Sequence, residues 1–391
     1  VEFAMKALTY QGVKNVGVET VDDPEIHASD DIIVKVTATA IDGADLLAYR
    51  GRIPGLKPGD VLGREFMGIV EETGSGVTQL APGDRVVVPF VIACGHCRFC
   101  DRQLFAACDA TSAAQDTRAD NTRVYTGAAL FGSGDLYGGV AGGQAEYVRV
   151  PRANAGPVKM PESLGDERVL FLGDSLPTAY QAVLNAGVEA GSSLAIFGAG
   201  PVGLMAAACA RMLGVEALFM IDDNDDRLQF AADAYDAVPI RFDSGAAPAA
   251  KIIGLTDRYG VDAAIDAVGF DGQGNPAETM LTALRIETGS TYALRQAVAA
   301  VRRGGIVSIA GFYAGLGHGV PLGEIVEKGI AIKAGRAHVQ RYMSRLLHFI
   351  EEDRLHPEAI VTHRLPLSDS AAAYHMLDQK HDACRKIVLT P

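Results

Sequence analysis

Between residues 193 and 222 the chain reads as strand, glycine-rich turn, helix, strand and terminal carboxylate, an order that few folds accept. Ser193–Phe197 is a short apolar run, followed by Gly198-Ala199-Gly200-Pro201-Val202-Gly203 in a G-x-G-x-x-G pattern. Alone that pattern is weak, but between a strand and a helix it specifies a phosphate-binding turn. Gly198 permits the tight turn, Gly200 lets backbone approach a pyrophosphate, and Gly203 lets the helix lie close to the sheet. The helix over residues 201–213 then turns its N-terminus, with Pro201 and Val202 in the first turn, toward the anion. Asp222 closes the next strand 19 residues after Gly203, where a carboxylate holds the ribose hydroxyls of NAD. Asp223, Asp225 and Asp226 crowd the same turn and repel a 2′-phosphate, so NAD(H) is expected and not NADP(H).

The alternation continues with a helix over 227–235 and buried strands over 263–268 and 305–310. Strands and helices at this spacing make a parallel, doubly wound sheet. A stretch over 271–290, rich in Gly, Asn and Thr, reads as a surface insertion. Beyond Lys333, Tyr342, Leu346, Phe349 and Ile350 recur at helical spacing, followed by strands over 360–362 and 386–389. The first 150 residues read differently, as an all-β region with strands over 32–36, 66–72 and 85–89. Pro82-Gly83-Asp84 turns between the last two. Residues 109–143 lack a period, and so long a loop is either functional and mobile or a disordered surface insertion.

A chain of 391 residues exceeds one ordinary core, so two domains are expected. A net charge of −13 weighs against nucleic acid or an anionic membrane surface as the main partner and leaves a small molecule. There is no apolar run of membrane-spanning length and no basic segment leading into an apolar one. Met5-Lys6-Ala7-Leu8-Thr9-Tyr10 reads as a native start with residues 1–4 a leftover of expression, and a cytoplasmic location is expected.

Cys94, Cys97, Cys100 and Cys108 give C-x2-C-x2-C-x7-C. Four thiolates this close surround one tetrahedral zinc and organise a loop too small for a core of its own. Disulfides are the alternative, disfavoured by the short spacings and the expected compartment. Four protein ligands leave no open coordination position, so this zinc, one per chain, is expected to be structural. Cys209 and Cys384 lie in apolar segments and read as small core residues.

These motifs, in this order, resemble the medium-chain dehydrogenase/reductase superfamily, in its zinc-type alcohol dehydrogenase and formaldehyde dehydrogenase branch. The resemblance runs from Met5 to Pro391 and includes Met5-Lys6-Ala7, Gly63-Arg64-Glu65, the cysteine lobe and Asp174-Ser175-Leu176-Pro177-Thr178-Ala179-Tyr180. It implies an α/β architecture: a GroES-like β-rich catalytic domain from residues 1–175 and 335–391, with a Rossmann domain from 176–334 inserted. It also implies a substrate cleft between the domains and a homo-oligomer, dimer or tetramer, formed through the Rossmann sheet edge. The segment after Cys108 looks like the one that covers the adenine end, and can retain the cofactor, in the formaldehyde dehydrogenase and dismutase branch. Matching positions place Thr178 and Gly311-Phe312-Tyr313 along the nicotinamide and Lys386 at the pyrophosphate, and Arg227 and Val268 join this cofactor set. Tyr180 and Tyr313 are candidate hydroxyl donors or packing residues; Arg336 and His338 are candidates near the domain junction or solvated surface.

The resemblance breaks at the catalytic zinc. The family holds it with Cys from C-G-[ST]-D-x-H, His from G-H-E, and a later Cys or Asp. Here the first motif reads Asp42-Gly43-Ala44-Asp45-Leu46-Leu47 and the second Gly63-Arg64-Glu65. A guanidinium has no lone pair to give and stays protonated, so Arg64 cannot ligate zinc. With Asp42 and Asp174 it makes an ion-pair triad, beside Glu65 and Asp45. Ala44 and Leu47 also remove the hydroxyl and imidazole that relay the alcohol proton. The leading expectation is an NAD(H)-dependent oxidoreductase of a hydroxyl or carbonyl substrate working without catalytic zinc, with Arg64, Asp42, Asp174 and Glu65 as its catalytic candidates. The alternatives are a reductase of activated C=C bonds, and a protein that keeps NAD bound for internal redox cycling or for structure. A neutralised relic without chemistry is the competing reading of Arg64.

Overall fold

A computed structural model describes residues 4–113, 127–242, 247–269, 290–313, 319–379 and 383–391. It divides into two compact units, Val1–Pro177 with Ala337–Pro391, and Thr178–Arg336.

The Thr178–Arg336 unit is built on six parallel strands, in the order Val238–Arg241, Ala217–Asp222, Ser193–Phe197, Val261–Asp266, Val301–Ile309 and Ala331–Ala334. The central strands are apolar almost throughout, because helices cover both faces. Ala195, Phe197, Phe219, Ile221, Ala264 and Val307 pack with Leu294 and Val298 of the helix Tyr292–Ala300. Strand order runs outward from Ser193–Phe197 and then resumes on its other side at Val261–Asp266, so Phe197 and Asp266 are partners across the switch point. A ligand of such a sheet binds beyond the strand ends at that point. The expected insertion over 271–290 falls outside the described residues except for Ser290, which is buried.

In the other unit, a mostly antiparallel sheet runs Val361–Pro366, Lys386–Thr390, Ile32–Ala40, Glu65–Thr73, Arg85–Val88 and Val158–Lys159. Tyr147–Val150 also pairs with Ile32–Ala40, and Ala4–Gly12 forms a hairpin with Asn15–Asp22. The helix expected beyond Lys333 is Met343–Glu351, with Tyr342, Leu346, Phe349 and Ile350 buried. Residues 114–126 of the long aperiodic stretch lie outside the described residues. Its later part is core: Ala128–Phe131 are buried, and Ala129–Leu130 pairs with Val91–Ile92.

The all-β expectation for the first 150 residues needs one correction. Gly43–Tyr49 is a helix, and its start is fixed by a capping box. Asp42 Oδ1 accepts from Asp45 N at 2.7 Å, and Asp45 Oδ2 accepts from Asp42 N at 3.1 Å. Two orphan amides are thereby satisfied reciprocally.

Candidate active site

Asp42 lies two residues past the strand Ile32–Ala40, and Arg64 directly precedes the strand Glu65–Thr73, which pairs with it through Ala40 and Glu65. Asp174 follows the short turn Leu170–Gly173 and precedes the helix Ser175–Ala186. Three segments distant in sequence thus deliver their charges to one point. Arg64 Nε donates to Asp42 Oδ2 at 2.7 Å and to Asp174 Oδ2 at 2.8 Å. Its guanidinium carbon lies 4.3 Å from the centre of the Phe90 ring, a cation–π contact that fixes the plane of the group. Both carboxylates bind the same Nε, and the two terminal nitrogens have no hydrogen-bond partner among the described residues. The Arg64 side chain is 17% exposed while Asp42 and Asp174 are buried, so the cation is the accessible member of the triad.

Behind the triad sits a second ion pair. Lys386 Nζ lies 2.5 Å from Glu65 Oε2, both side chains fully buried, and also donates to Ile41 O at 3.0 Å. The other Glu65 oxygen accepts from Ser175 N at 2.8 Å. Asp45 Oδ2 accepts from Gln144 Nε2, whose amide oxygen accepts from the buried Tyr374 hydroxyl. Burial opposes ionisation of Asp42, but Arg64, Asp174 and Lys386 hold its carboxyl well below the usual range. Burial pushes Asp174 well up, with the charges of Asp42 and Glu65 adding to it against Arg64. Asp45 is likewise pushed well up by burial and by Asp42. Arg64 is held fully protonated by Asp174, Asp42 and Asp45 against its own burial.

The four lobe cysteines come together as a separate centre, all sulfurs within 4.8 Å of one another. Cys97 Sγ lies 3.6 Å from Cys100 Sγ and 3.9 Å from Cys108 Sγ, and Cys94 Sγ 4.0 Å from Cys100 Sγ. Four sulfurs ~2.3 Å from one zinc stand about 3.8 Å apart, so the donor set fits a tetrahedral ion. Although burial opposes it, backbone amides at Cys100, Asp109 and Phe99 bring the Cys97 thiol down to about 6, the cradle of a thiolate ligand. Among the described residues this is the one grouping of metal-ligand type. His338 Nδ1 accepts from Ala106 N of the same lobe at 3.1 Å, so its imidazole is engaged there.

In the Thr178–Arg336 unit the glycines behave as their spacing demands. Gly198 has φ +100°, and a Cβ on Gly203 would stand 1.8 Å from Gly198 O, which forbids any larger residue. A Cβ on Gly200 would meet nothing within 4 Å, so that face of the turn is open. Pro201 begins the helix Pro201–Met212, with Val202 and Gly203 in its first turn. Asp222 Oδ2 accepts from Ala199 N at 2.6 Å and Oδ1 from Asn224 N at 2.9 Å, so the carboxylate braces the turn. Arg227 lies in the first turn of the helix Asp225–Tyr235, its amide donating to the Asn224 cap. Val268 and Gly269 donate backbone N–H to the buried Asp266, and Gly311 passes Gly269 so closely that a Cβ would lie 2.2 Å from its nitrogen. Phe312 follows in that turn, and the Tyr313 hydroxyl donates to Asp266 Oδ2 at 2.5 Å. Thr178 stands half-buried in the helix Ser175–Ala186.

Residues 28–162 match the alcohol dehydrogenase GroES-like domain. Over 389 residues the chain is 41% identical to an uncharacterized zinc-type alcohol dehydrogenase-like protein of Bacillus subtilis (strain 168), covering 99% of this chain and 100% of that one. The chain belongs to the zinc-type alcohol dehydrogenase-like family. The formaldehyde dismutase of Pseudomonas putida is 35% identical over 90% of this chain and 88% of its own. The alcohol dehydrogenase of Thermus sp. ATN1 superposes with a TM-score of 0.82 at 35% identity, covering 99% of both chains. The protein is therefore an oxidoreductase of this family, with the GroES-like and Rossmann architecture.

Within that family the cluster contains one group that the resemblance set elsewhere and three that motif reading missed. Lys386, assigned by resemblance to a pyrophosphate, has its ammonium enclosed against Glu65, Ile41 and Ser175. Gln144 and Tyr374 brace Asp45, and Phe90 carries Arg64. The last three belong to no motif and left no local signal. The D-x-x-D spacing of Asp42 and Asp45 did carry one, the capping box.

Proposed function

We propose that this member of the family is an NAD(H)-dependent oxidoreductase of a hydroxyl or carbonyl substrate, in which the Arg64 guanidinium takes the electrostatic part that zinc plays in its relatives. The observation that carries this reading is the grip of Asp42 and Asp174 on a single nitrogen of Arg64, with the terminal nitrogens left to an incoming oxygen. Planar N–H donors held by packing stabilise developing negative charge without reorganisation. Histidine would bring a lone pair to this position, and arginine brings only donors.

Gly198, Gly200, Pro201, Val202 and Gly203 would cradle the pyrophosphate and Asp222 would hold the ribose. Arg227, Val268, Gly311, Phe312 and Thr178 remain the candidates for the rest of the cofactor. When bound, NAD(H) supplies or accepts the hydride. Lys386 serves here through Glu65 as the buried support of the cluster. The four cysteines would hold a structural zinc. A pairing of two copies through the sheet edge fits the exposure of the whole strand Ala331–Ala334 and of Leu322 and Val326 beside it. No helix among the described residues is long and apolar enough to cross a membrane.

The test is Arg64→Ala. Turnover should fall at least ~100-fold, the scale of losing a preorganised oxyanion donor, with NADH affinity nearly intact. Unchanged turnover with carbonyl substrates rejects the substitution of arginine for metal.

A further inference from the structure

The sheet of the Thr178–Arg336 unit divides a dinucleotide between its two halves. With the pyrophosphate at the glycine turn and a ribose at Asp222, as proposed above, the adenosine falls beyond the ends of Ser193–Phe197 and Ala217–Asp222. The other nucleotide would then lie across the switch point, beyond the ends of Val261–Asp266 and Val301–Ile309. Two turns leave the sheet there, over 267–269 and 310–313, and they touch backbone to backbone. A Cβ on Gly269 would stand 2.4 Å from Phe312 O, and one on Gly311 would stand 2.2 Å from Gly269 N. The parallel ladder does not impose this closeness, because its last registered pair is Asp266 with Ile309.

One residue closes the two turns on each other. Asp266 ends its strand fully buried, and its Oδ1 accepts from Val268 N at 3.0 Å and from Gly269 N at 3.1 Å. Its Oδ2 accepts from the Tyr313 hydroxyl at 2.5 Å, and its backbone oxygen accepts from Ala310 N at 2.9 Å and Gly311 N at 2.8 Å. The first turn is thus held by two amides, the second by two amides and a phenol. The Tyr313 ring packs on the apolar core of the unit, which aims its hydroxyl at the carboxylate. A hydrogen bond from hydroxyl to carboxylate is among the strong ones. Burial and the charge of Asp266 push the Tyr313 hydroxyl well above its usual range, so it keeps its proton and stays the donor.

We infer that Asp266 and Tyr313 form a clasp that positions the nicotinamide, presenting the backbone of Val268 and of Gly311–Phe312 to the ring as one rigid edge. This role rests on the cofactor placement proposed above and is independent of Arg64. Without the clasp, the turn over 310–313 could adopt other backbone angles, and ordering it would weaken nicotinamide binding. With it, the edge is set before the cofactor arrives. The adenosine half gains nothing, because its contacts lie on the other side of the switch point. Tyr313 and Asp266 are therefore positioning residues. The Tyr313 hydroxyl is committed to a buried carboxylate and is not a donor to substrate.

The test is calorimetric binding of NADH and of ADP-ribose, which lacks only the nicotinamide, to the full chain and to Tyr313→Phe. Loss of the hydroxyl should weaken NADH about tenfold, the scale of one hydrogen bond to a charged group, and leave ADP-ribose within about twofold. The fluorescence anisotropy of bound NADH should fall with it, because the ring is held less firmly. Asp266→Asn should weaken NADH similarly, and the double variant no further than either single one, since both remove the same contact. If Asp266→Asn does not fold, Tyr313→Phe decides alone. Equal weakening of both ligands, or unchanged NADH affinity, overturns the clasp. A native chain that binds neither ligand overturns the cofactor placement, and the clasp with it. Because no turnover is measured, the outcome stands apart from the reading of Arg64.

Discussion

The cysteine lobe and the Arg64 cluster belong to the same compact unit, and both gather four acidic side chains into a small volume. They differ in where the compensating charge comes from. In the lobe the four donors fit a metal ion. In the cluster the compensation is covalent, because Arg64 and Lys386 belong to the chain itself. A metal site can be emptied by a chelator; a guanidinium cannot. The lobe should therefore depend on metal supply and the cluster should not, although both descend from metal centres in the resemblance.

The largest effect that can break this comparison is in the lobe. Cys108→Ser removes a fully buried ligand. Structural zinc contributes on the order of 10 kcal/mol to isolated zinc domains, so the lobe should lose order and the thermal midpoint should drop. Elemental analysis should find about one zinc per chain in the native protein and none in the variant. Two per chain in the native protein would mean that the Arg64 centre also holds metal, and the contrast would collapse.

Next comes the support of the cluster. Lys386→Met leaves Glu65 buried without its cation, which should cost about 3–5 kcal/mol in chemical denaturation. Adding Glu65→Gln should restore much of that loss, because replacing both members of a buried pair is far cheaper than removing one. An equal cost in the single and double variants would show that packing, not charge, holds this corner.

How much of this was legible in the sequence follows from the range over which each feature acts. The glycine turn and the cysteine lobe are local: their donors or backbone positions lie within a few residues, so spacing alone carries the geometry. The parallel strands from Ser193 to Ile309 were legible for the same reason, being apolar runs bounded by turns. Asp42, Arg64 and Asp174 could be brought together only through resemblance, because 110 residues separate Arg64 from Asp174. The spacing of Asp42 and Asp45 signals the helix Gly43–Tyr49, but both also fall in the segment that resembles the metal-site motif, which hides the cap. Lys386, Gln144, Tyr374 and Phe90 show the limit. Their roles depend on tertiary approach between elements that carry no shared pattern.

A smaller effect sharpens the comparison through pH. The carboxyls of Asp45 and Asp174 are pushed up in the folded protein, so folding retains protons that the unfolded chain releases above pH ~4. Stability from these two groups is therefore fully present at low pH and is lost as pH rises toward their folded values. Each contributes a slope of about −1.4 kcal/mol per pH unit in that window. Asp42 runs the other way: its depressed carboxyl adds stability above pH ~4 and loses it as pH falls. Asp174→Asn should remove about 1.4 kcal/mol per pH unit of the downward slope that begins above pH ~4, measured by urea denaturation. Cys108→Ser should leave that slope unchanged, since the lobe adds no buried carboxylate to it.

The smallest effect separates the two jobs of Asp42. Its Oδ1 caps the helix Gly43–Tyr49 while its Oδ2 meets Arg64, so one carboxylate serves local folding and the charge cluster together. Asp42→Asn keeps an oxygen for the cap and removes the charge; Asp42→Ala removes both. The extra cost of alanine over asparagine should be about 1 kcal/mol, the usual worth of an N-cap. Turnover should fall to a similar degree in both variants, because each removes the charge that holds Arg64. If asparagine retains native turnover while alanine loses it, the side chain acts only by starting the helix. Arg64 would then be held for chemistry by Asp174 alone.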